Sequence, residues 1–196
     1  MLFMIIKHEF DITQRERIER NKFPPFFILF TGLSGAGKTT IANKLEQKLF
    51  DLDILSYVLD GDNLRNGINK DLYFSERDRK ENLRRMAEIA KLFMDAGILV
   101  IGAFIAPYIE SRNQIKSIVG ADNYVEVFVN TSLETCKKRD VKGLYAKAER
   151  GEIINMTGVD APYETPKNPT IEITEKETLD EAVEIIFKAI YHQLKI

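Results

Sequence analysis

The sequence predicts an α/β fold in which a mainly parallel, five-stranded sheet lies between two layers of helices. Short apolar runs alternate along the chain with longer segments in which apolar residues recur at helical spacing. The strand candidates are nearly continuous apolar runs, which is typical of strands that are covered on both faces. The length of 196 residues suits about one domain.

Composition narrows the class of protein. With 44% hydrophobic and 30% charged residues, the chain has enough of both for a packed core and a solvated surface. The formal net charge of −2 excludes a broad basic surface for nucleic acid. No apolar run approaches the roughly 18 to 20 residues that span a bilayer, and the apolar start of the chain lacks the features of a signal peptide. We therefore expect a cytoplasmic protein that binds neither membranes nor nucleic acid, and the single cysteine, Cys136, excludes an internal disulfide.

The first half of the domain shows one strand, one helix and a second strand. A strand is predicted over residues 26–31, and a glycine-rich loop follows it. A helix is predicted over residues 39–50, because apolar side chains recur at four-residue steps from Ile41 to Leu49. A second strand is predicted over residues 54–59 and ends in an acidic turn.

A long helix and a buried strand occupy the middle of the chain. The helix is predicted over residues 75–96, with Ser75 as its N-cap, Asp78 three residues further on and Gly97 as its C-terminal stop. A third strand follows at residues 98–105.

The last third adds two strands and a closing helix. Strands are predicted at residues 124–129 and 171–173, and an amphipathic helix at residues 179–194 is expected to pack on the sheet. Between these two strands, residues 161–169 contain three prolines and are predicted to form an extended loop. Strands that alternate with helices pair in parallel through right-handed crossovers, so their loops meet at one ligand-binding edge of the sheet.

A phosphate-binding motif follows the first predicted strand. Residues 32–39, GLSGAGKT, match G-x-x-x-x-G-K-[ST], and the motif lies between a strand and a helix, as its mechanism requires. Glycines let main-chain N–H groups surround phosphate oxygens, Lys38 supplies a charge to the β- and γ-phosphates, and the Thr39 hydroxyl is a ligand for Mg²⁺. The predicted ATP-binding residues here are Gly32, Leu33, Ser34, Gly35, Ala36, Gly37, Lys38, Thr39 and Thr40.

Two aspartates follow the second strand. Phosphoryl transfer to a hydroxyl needs a proton acceptor and a carboxylate near Mg²⁺. Asp60 and Asp62, one residue apart at the carboxyl end of a strand, meet both needs and are predicted to be catalytic together with Lys38. The alternative is an Asp-Gly turn in a β-hairpin.

A basic series follows the aspartates: Arg65, Arg77, Arg79, Lys80, Arg84 and Arg85. Its members suit the planar recognition of a sulfate or phosphate group, but they equally suit a solvated helix face with pairs such as Glu81 and Arg85. Phe74, beside this series, is either a platform for a base or a core residue, and taken alone it favours the core.

In their order and spacing, these segments resemble the adenylylsulfate kinases. Besides the phosphate loop, the resemblance rests on LDGDNLR at 59–65, NKDL at 69–72, FSERDRKEN at 74–82, EVFV at 126–129, KGLY at 142–145 and TGVDAPYE at 157–164. It implies a three-layer P-loop nucleotide kinase fold with a lid at about residues 139–164. The segment Phe23-Pro24-Pro25 separates a charged N-terminal arm, residues 1–25, from the kinase domain, residues 26–196. The implied partners are ATP, Mg²⁺ and a second copy of the chain.

The implied reaction is the transfer of the terminal phosphoryl group of ATP to the ribose 3′-hydroxyl of adenosine 5′-phosphosulfate (APS), which yields 3′-phosphoadenylyl sulfate and ADP in sulfate assimilation. By resemblance, Asp60 and Asp62 act at the hydroxyl and the metal, and Arg139 contacts ATP. The residues that the resemblance assigns to the acceptor are Asp62, Arg65, Phe74, Arg79, Asn82, Ile105, Ala106, Lys142, Leu144 and Met156.

Three positions depart from the family pattern, all of them on the acceptor side. Ala106 stands where serine is common, so no seryl phosphate forms there, and transfer must be direct. Met156 replaces a phenylalanine that would form one side of an adenine sandwich, and Asn66 stands where histidine is frequent. These departures motivate one alternative, a relative that phosphorylates another nucleotide such as a cytidine diphosphate conjugate. A second alternative, a non-catalytic nucleotide sensor, is disfavoured by the intact phosphate loop.

Overall fold

The computed structural model describes Ile6, His8 and residues 10–194, and its centre is a five-stranded sheet in which all strands run parallel. The strands are β1 (Phe27–Thr31), β2 (Ser56–Asp60), β3 (Leu99–Ala103), β4 (Tyr124–Asn130) and β5 (Ile171–Thr174). Their order across the sheet is β2-β3-β1-β4-β5. The predicted parallel α/β fold is confirmed.

Eight α-helices surround this sheet within the described residues. They are α1 (Gln14–Asn21), α2 (Lys38–Phe50), α3 (Gly61–Arg65), α4 (Glu76–Asp95), α5 (Ile109–Val119), α6 (Leu133–Arg139), α7 (Leu144–Glu149) and α8 (Leu179–Leu194). Helices α2 and α8 contact each other over one face of the sheet, and α4 and α5 contact each other over the opposite face. None of the described helices has the length and apolarity that crossing a bilayer requires.

The central strand β1 shows why its sequence is apolar throughout. Phe27 and Leu29 point into the cluster below α4 and α5, whereas Ile28 and Phe30 point into the cluster below α2 and α8. All four are fully buried. Since alternate side chains face opposite layers, a strand with helices on both faces has no polar side.

The ends of α4 agree with the sequence prediction. The Ser75 hydroxyl accepts a hydrogen bond from the main-chain N–H of Asp78, and Gly97 follows the helix with a φ of +84°. The third strand is shorter than the predicted residues 98–105. Its chain turns at the sheet edge, where the Thr31 hydroxyl donates to the Ile105 carbonyl and Ala106 has a φ of +43°.

The N-terminal segment contains a helix that the sequence analysis did not predict. Helix α1 has a capping box between Thr13 and Glu16 and buries none of its residues, in agreement with a surface arm. It is tied to the end of α4 by the Arg17–Asp95 ion pair. Phe23 is buried in the core next to the sheet. The division at residues 25 and 26 stays a prediction, and residues 1–5, 7 and 9 of the arm, like residues 195–196 of the domain, lie outside the described residues.

Candidate functional site

The phosphate loop joins β1 to α2 in a conformation that requires glycine. Gly32 leaves the strand so close to β4 that an added Cβ would lie 2.5 Å from the Val129 carbonyl oxygen. Gly35 has a φ of +76°, and a Cβ there would lie 3.2 Å from the Cys136 carbonyl oxygen. The two glycines thus let the loop pass beneath its neighbours with a left-handed backbone.

Lys38 is buried and turns back into its own loop. Its Nζ donates hydrogen bonds to the carbonyls of Gly32 at 2.9 Å and Leu33 at 2.7 Å. Burial lowers the pKa of Lys38 to about 8, because the interior disfavours the charged form. The loop therefore holds a cationic group in a fixed place at the start of α2.

Two side chains from the segment after β4 bind the outside of the same loop. The Tyr145 hydroxyl donates to the Ser34 carbonyl at 2.9 Å, and the Arg139 guanidinium donates to the carbonyls of Gly35 and Ala36, each at 3.3 Å. Arg139 therefore lies beside the loop, where the resemblance to the family puts an ATP contact. Thr40 is exposed on the first turn of α2.

Asp60 connects the acidic turn to the phosphate loop. One of its carboxylate oxygens accepts a hydrogen bond from the Thr39 hydroxyl at 2.9 Å. The other accepts from the main-chain N–H groups of Asp62 at 2.9 Å and Asn63 at 3.3 Å, which caps the short helix α3. Because a helix and a parallel crossover follow, the alternative of an Asp-Gly hairpin is wrong.

Thr39 and Asp60 together fit one side of a magnesium site. A hydroxyl and a carboxylate oxygen lie within hydrogen-bond distance of each other at the sheet edge. Mg²⁺ prefers oxygen ligands and takes few of them from the protein, since phosphates and water supply the others.

Asp62 lies on the first turn of α3 and forms an ion pair with Lys142. Both side chains are more than half exposed. Lys142 comes from the predicted lid segment, so this contact joins the lid to the acidic turn. Leu144, two residues further along, packs against the core.

Phe74 is an exposed aromatic platform and not a core residue. Its exposed fraction is 62%, and the Arg65 guanidinium lies 4.6 Å from the centre of its ring. Arg65 also donates to the carbonyls of Leu72 at 3.1 Å and Tyr73 at 2.9 Å. The interpretation of Phe74 as core, favoured when the residue is taken alone, is therefore wrong.

Arg79 joins α4 to the end of the lid segment. It donates to the Phe74 carbonyl at 3.0 Å, to the Asn155 carbonyl and to the Thr157 hydroxyl. Met156, between the last two, is only 7% exposed and packs in the core. The structure thus joins Phe74 to the predicted lid segment through one guanidinium.

Each of the two interpretations of the basic series holds for part of it. Lys80 pairs with Glu76 and Glu110, while Arg84 and Arg85 both pair with Glu81. These three cations belong to a solvated helix face, as the alternative interpretation of the series predicts. Arg65 and Arg79 instead contact the segments around Phe74 and the lid.

A buried network behind the site was missed by the sequence analysis. Arg112 on α5 is 4% exposed, and its Nε lies 3.0 Å from a carboxylate oxygen of Glu126 on β4. It also donates to the carbonyl of Ala106 at 2.8 Å and to that of Glu164 at 2.7 Å. Arg112 lies on the same helix face as the buried Ile115, and a basic residue in an apolar helical pattern is the signal that could have revealed it.

Comparison with known proteins identifies the family. The sequence matches the family described as adenylylsulphate kinase over residues 24–174. A probable adenylyl-sulfate kinase of Halalkalibacterium halodurans is 50% identical over 190 residues, which cover 96% of this chain and 94% of that protein.

Two solved structures extend the comparison. The APS kinase of Mycobacterium tuberculosis, solved in complex with AMPPNP and APS, superposes with a TM-score of 0.84 at 45% identity, over 86% of this chain and 99% of that one. A hexameric APS kinase from Thiobacillus denitrificans superposes with a TM-score of 0.67 at 28% identity, over 91% of this chain and 32% of that one. This chain belongs to the adenylylsulphate kinase family.

Proposed function

We propose that this chain transfers the γ-phosphoryl group of ATP to the 3′-hydroxyl of APS. The observation that carries the proposal is the contact between Thr39 and Asp60, which joins a phosphate loop to an acidic turn at one sheet edge. The name of the relative at 50% identity, and the AMPPNP and APS in the complex of the tuberculosis enzyme, support the same donor and acceptor.

On the donor side, the loop of residues 32–39 cradles the triphosphate, and Lys38 and Arg139 supply positive charge. Thr39 and Asp60 would hold Mg²⁺, which when bound offsets the charge of the β- and γ-phosphates. Asp62 accepts the proton of the 3′-hydroxyl while the new O3′–P bond forms and the bond from phosphorus to the ADP oxygen breaks. Because Ala106 has no hydroxyl, the transfer is direct and in line.

On the acceptor side, the phosphosulfate group meets Arg65, Arg79, Asn82 and Lys142, and the adenine stacks on Phe74. Ile105, Ala106, Leu144 and Met156 complete the pocket. A lid at about residues 139–164 closes over both nucleotides. On binding, Lys142 exchanges its contact with Asp62 for the anion of the acceptor, which frees the carboxylate to take the proton.

We further propose that the enzyme acts as a homodimer in the cytoplasm. Two apolar side chains at the edge strand β2 are exposed, Leu55 just before the strand and Tyr57 within it, and they support a contact between two copies of the chain. The related protein from Thiobacillus denitrificans is hexameric, so the number of copies in the assembly of this chain has to be measured. Sedimentation equilibrium gives the mass of the assembly, and a mass other than that of two chains would contradict the homodimer.

The acceptor is tested by a coupled assay for ADP with MgATP and two acceptors, APS and a cytidine diphosphate conjugate. We expect kcat/KM for APS to exceed that for the cytidine compound by more than about 100-fold, which equals roughly 2.7 kcal/mol of transition-state discrimination. If the enzyme preferred the cytidine compound, the acceptor would be another nucleotide and not APS. If it turned over neither compound, the proposed function would be overturned.

Replacing Asp60 with asparagine is expected to separate its charge from its capping role. Asparagine caps helices as well as aspartate does, so the free energy of unfolding should change by less than about 1 kcal/mol. The negative charge beside Thr39 is lost, so kcat should fall on the order of 100-fold or more.

The matched control for this exchange is Thr13→Asn, which changes the N-cap of α1, far from the site. Its kcat should equal that of the wild type. If Asp60→Asn kept more than a third of the wild-type kcat, Asp60 would have no catalytic role.

A further inference from the structure

We propose that Asn69 is a positioning residue that fixes the side-chain amide of Asn82, so that its amino group and not its oxygen faces the acceptor nucleotide. This inference rests on the proposed function and deepens its acceptor site. It starts from two amides inside the protein, neither of which the donor chemistry uses.

Asn69 is held on every side by the protein. It is fully buried, and its main-chain N–H donates to the Leu64 carbonyl at 2.9 Å while its carbonyl accepts from the Leu72 N–H at 3.0 Å. Its side-chain Nδ2 donates to Oδ1 of Asn82 at 2.9 Å. The turn between α3 and α4 thus delivers one fixed donor to the oxygen of Asn82.

Asn69 is left with one buried side-chain atom that has no partner. The Oδ1 of Asn69 is one of two buried side-chain polar atoms that lack a partner among the described residues. If both amides were reversed, Asn69 would accept from Asn82, and its own amino group would be the unpaired one. Buried N–H groups without a partner are rarer than buried carbonyls with unused capacity, so the orientation with an unpaired oxygen is the favoured one.

This orientation determines what Asn82 offers to a ligand. Its Oδ1 is occupied by Asn69, and its Nδ2 has no hydrogen-bond partner in the described part of the chain. Asn82 lies one turn after Arg79 on α4, with an exposed fraction of 5%. An amino group there donates to an oxygen of an anionic acceptor, whereas a reversed amide would present its oxygen to that oxygen.

The test is the variant Asn69→Leu, which keeps the branched shape of the side chain and removes the donor. Without that donor, the Asn82 amide is free to reverse. We expect KM for APS to rise about 10- to 100-fold, the usual range for a hydrogen bond to a charged group. KM for ATP and kcat should stay within about threefold, because the phosphate loop and the acidic turn are unchanged.

A second variant and a matched control make the result specific. Asn69→Ala removes the same donor and is used if leucine prevents folding, which thermal unfolding reports. Ser111→Ala removes the hydroxyl of the other unpartnered buried group, on α5, and should leave both KM values unchanged. In an Asn82→Ala background, Asn69→Leu should change KM for APS by less than about twofold, because the amide that it orients is gone.

Three results would overturn the positioning role in an active enzyme. They are an unchanged KM for APS in Asn69→Leu, equal increases in KM for APS and for ATP, and additive effects of Asn69→Leu and Asn82→Ala. Absence of any turnover of APS by the wild type would overturn the proposed function, and this inference with it.

Discussion

Replacement of Lys38 by alanine is expected to lower kcat by about 10²- to 10³-fold, the cost of removing one preorganised group that stabilises transition-state charge. The Nζ of Lys38 is already held inside the phosphate loop by the carbonyls of Gly32 and Leu33. Its position therefore needs little reorganisation when charge develops on the transferred group. The measurement is the steady-state release of ADP with saturating MgATP and APS.

The matched control is Lys48→Ala, on the last turn of the same helix, α2. Lys48 forms an ion pair with Glu184 far from the loop, so its removal should leave kcat unchanged. A Lys38→Ala variant with more than a tenth of the wild-type kcat would contradict the assigned role. A wild type without turnover, in which Lys38→Ala changes only nucleotide affinity, would instead identify a nucleotide sensor.

The features that the sequence predicted correctly are those that depend on neighbouring residues. The phosphate loop, the caps of α4 and the apolar run of β1 are each encoded within a short stretch, and all are found in the structure. Parallel pairing follows from the alternation of strands and helices. Family membership, which rests on several such stretches in order, could also be predicted.

Some of the features that were missed depend on contacts between distant residues, and others are helices too short to show a periodic pattern. Whether Phe74 enters the core or lies outside it is decided by how α4 leaves the preceding turn, and no local pattern records this. The short helices α3, α6 and α7 have too few residues for a periodic pattern, and capping side chains such as Asp60 and Ser132 stabilise their ends. Asn69 and Asn82, 13 residues apart, reveal their pairing only in the folded chain.

Arg112→Met is expected to lower the free energy of unfolding by about 3 to 5 kcal/mol at pH 7.5, the cost of leaving one partner of a buried ion pair uncompensated. The side chains of Arg112 and Glu126 are 4% and 14% exposed, so water screens the pair poorly. Arg112 also donates to the carbonyls of Ala106 and Glu164, and methionine can satisfy neither. Urea denaturation measures the loss.

The surface provides a control for Arg112→Met. Arg84→Met makes the same exchange in a surface pair with Glu81, whose side chains are 42% and 31% exposed, and surface pairs contribute about 0 to 1 kcal/mol. A loss below 1 kcal/mol for Arg112→Met would place its ion pair in the same class as that surface pair.

The loss in Arg112→Met should become smaller as the pH falls. Burial raises the pKa of Glu126 above its usual value, and the positive charge of Arg112 opposes that rise. Without Arg112, the pKa of Glu126 in the folded protein is higher still. At a pH between this raised value and the ordinary pKa of the unfolded chain, Glu126 binds a proton in the folded protein but not in the unfolded chain. Proton binding to the folded state then stabilises it, and the deficit at pH 5.5 should be smaller than at pH 7.5. If the loss of stability in Arg112→Met grew on acidification, the buried carboxylate of Glu126 would not be its cause. A loss that shrinks at lower pH requires a group that takes up a proton when the chain folds.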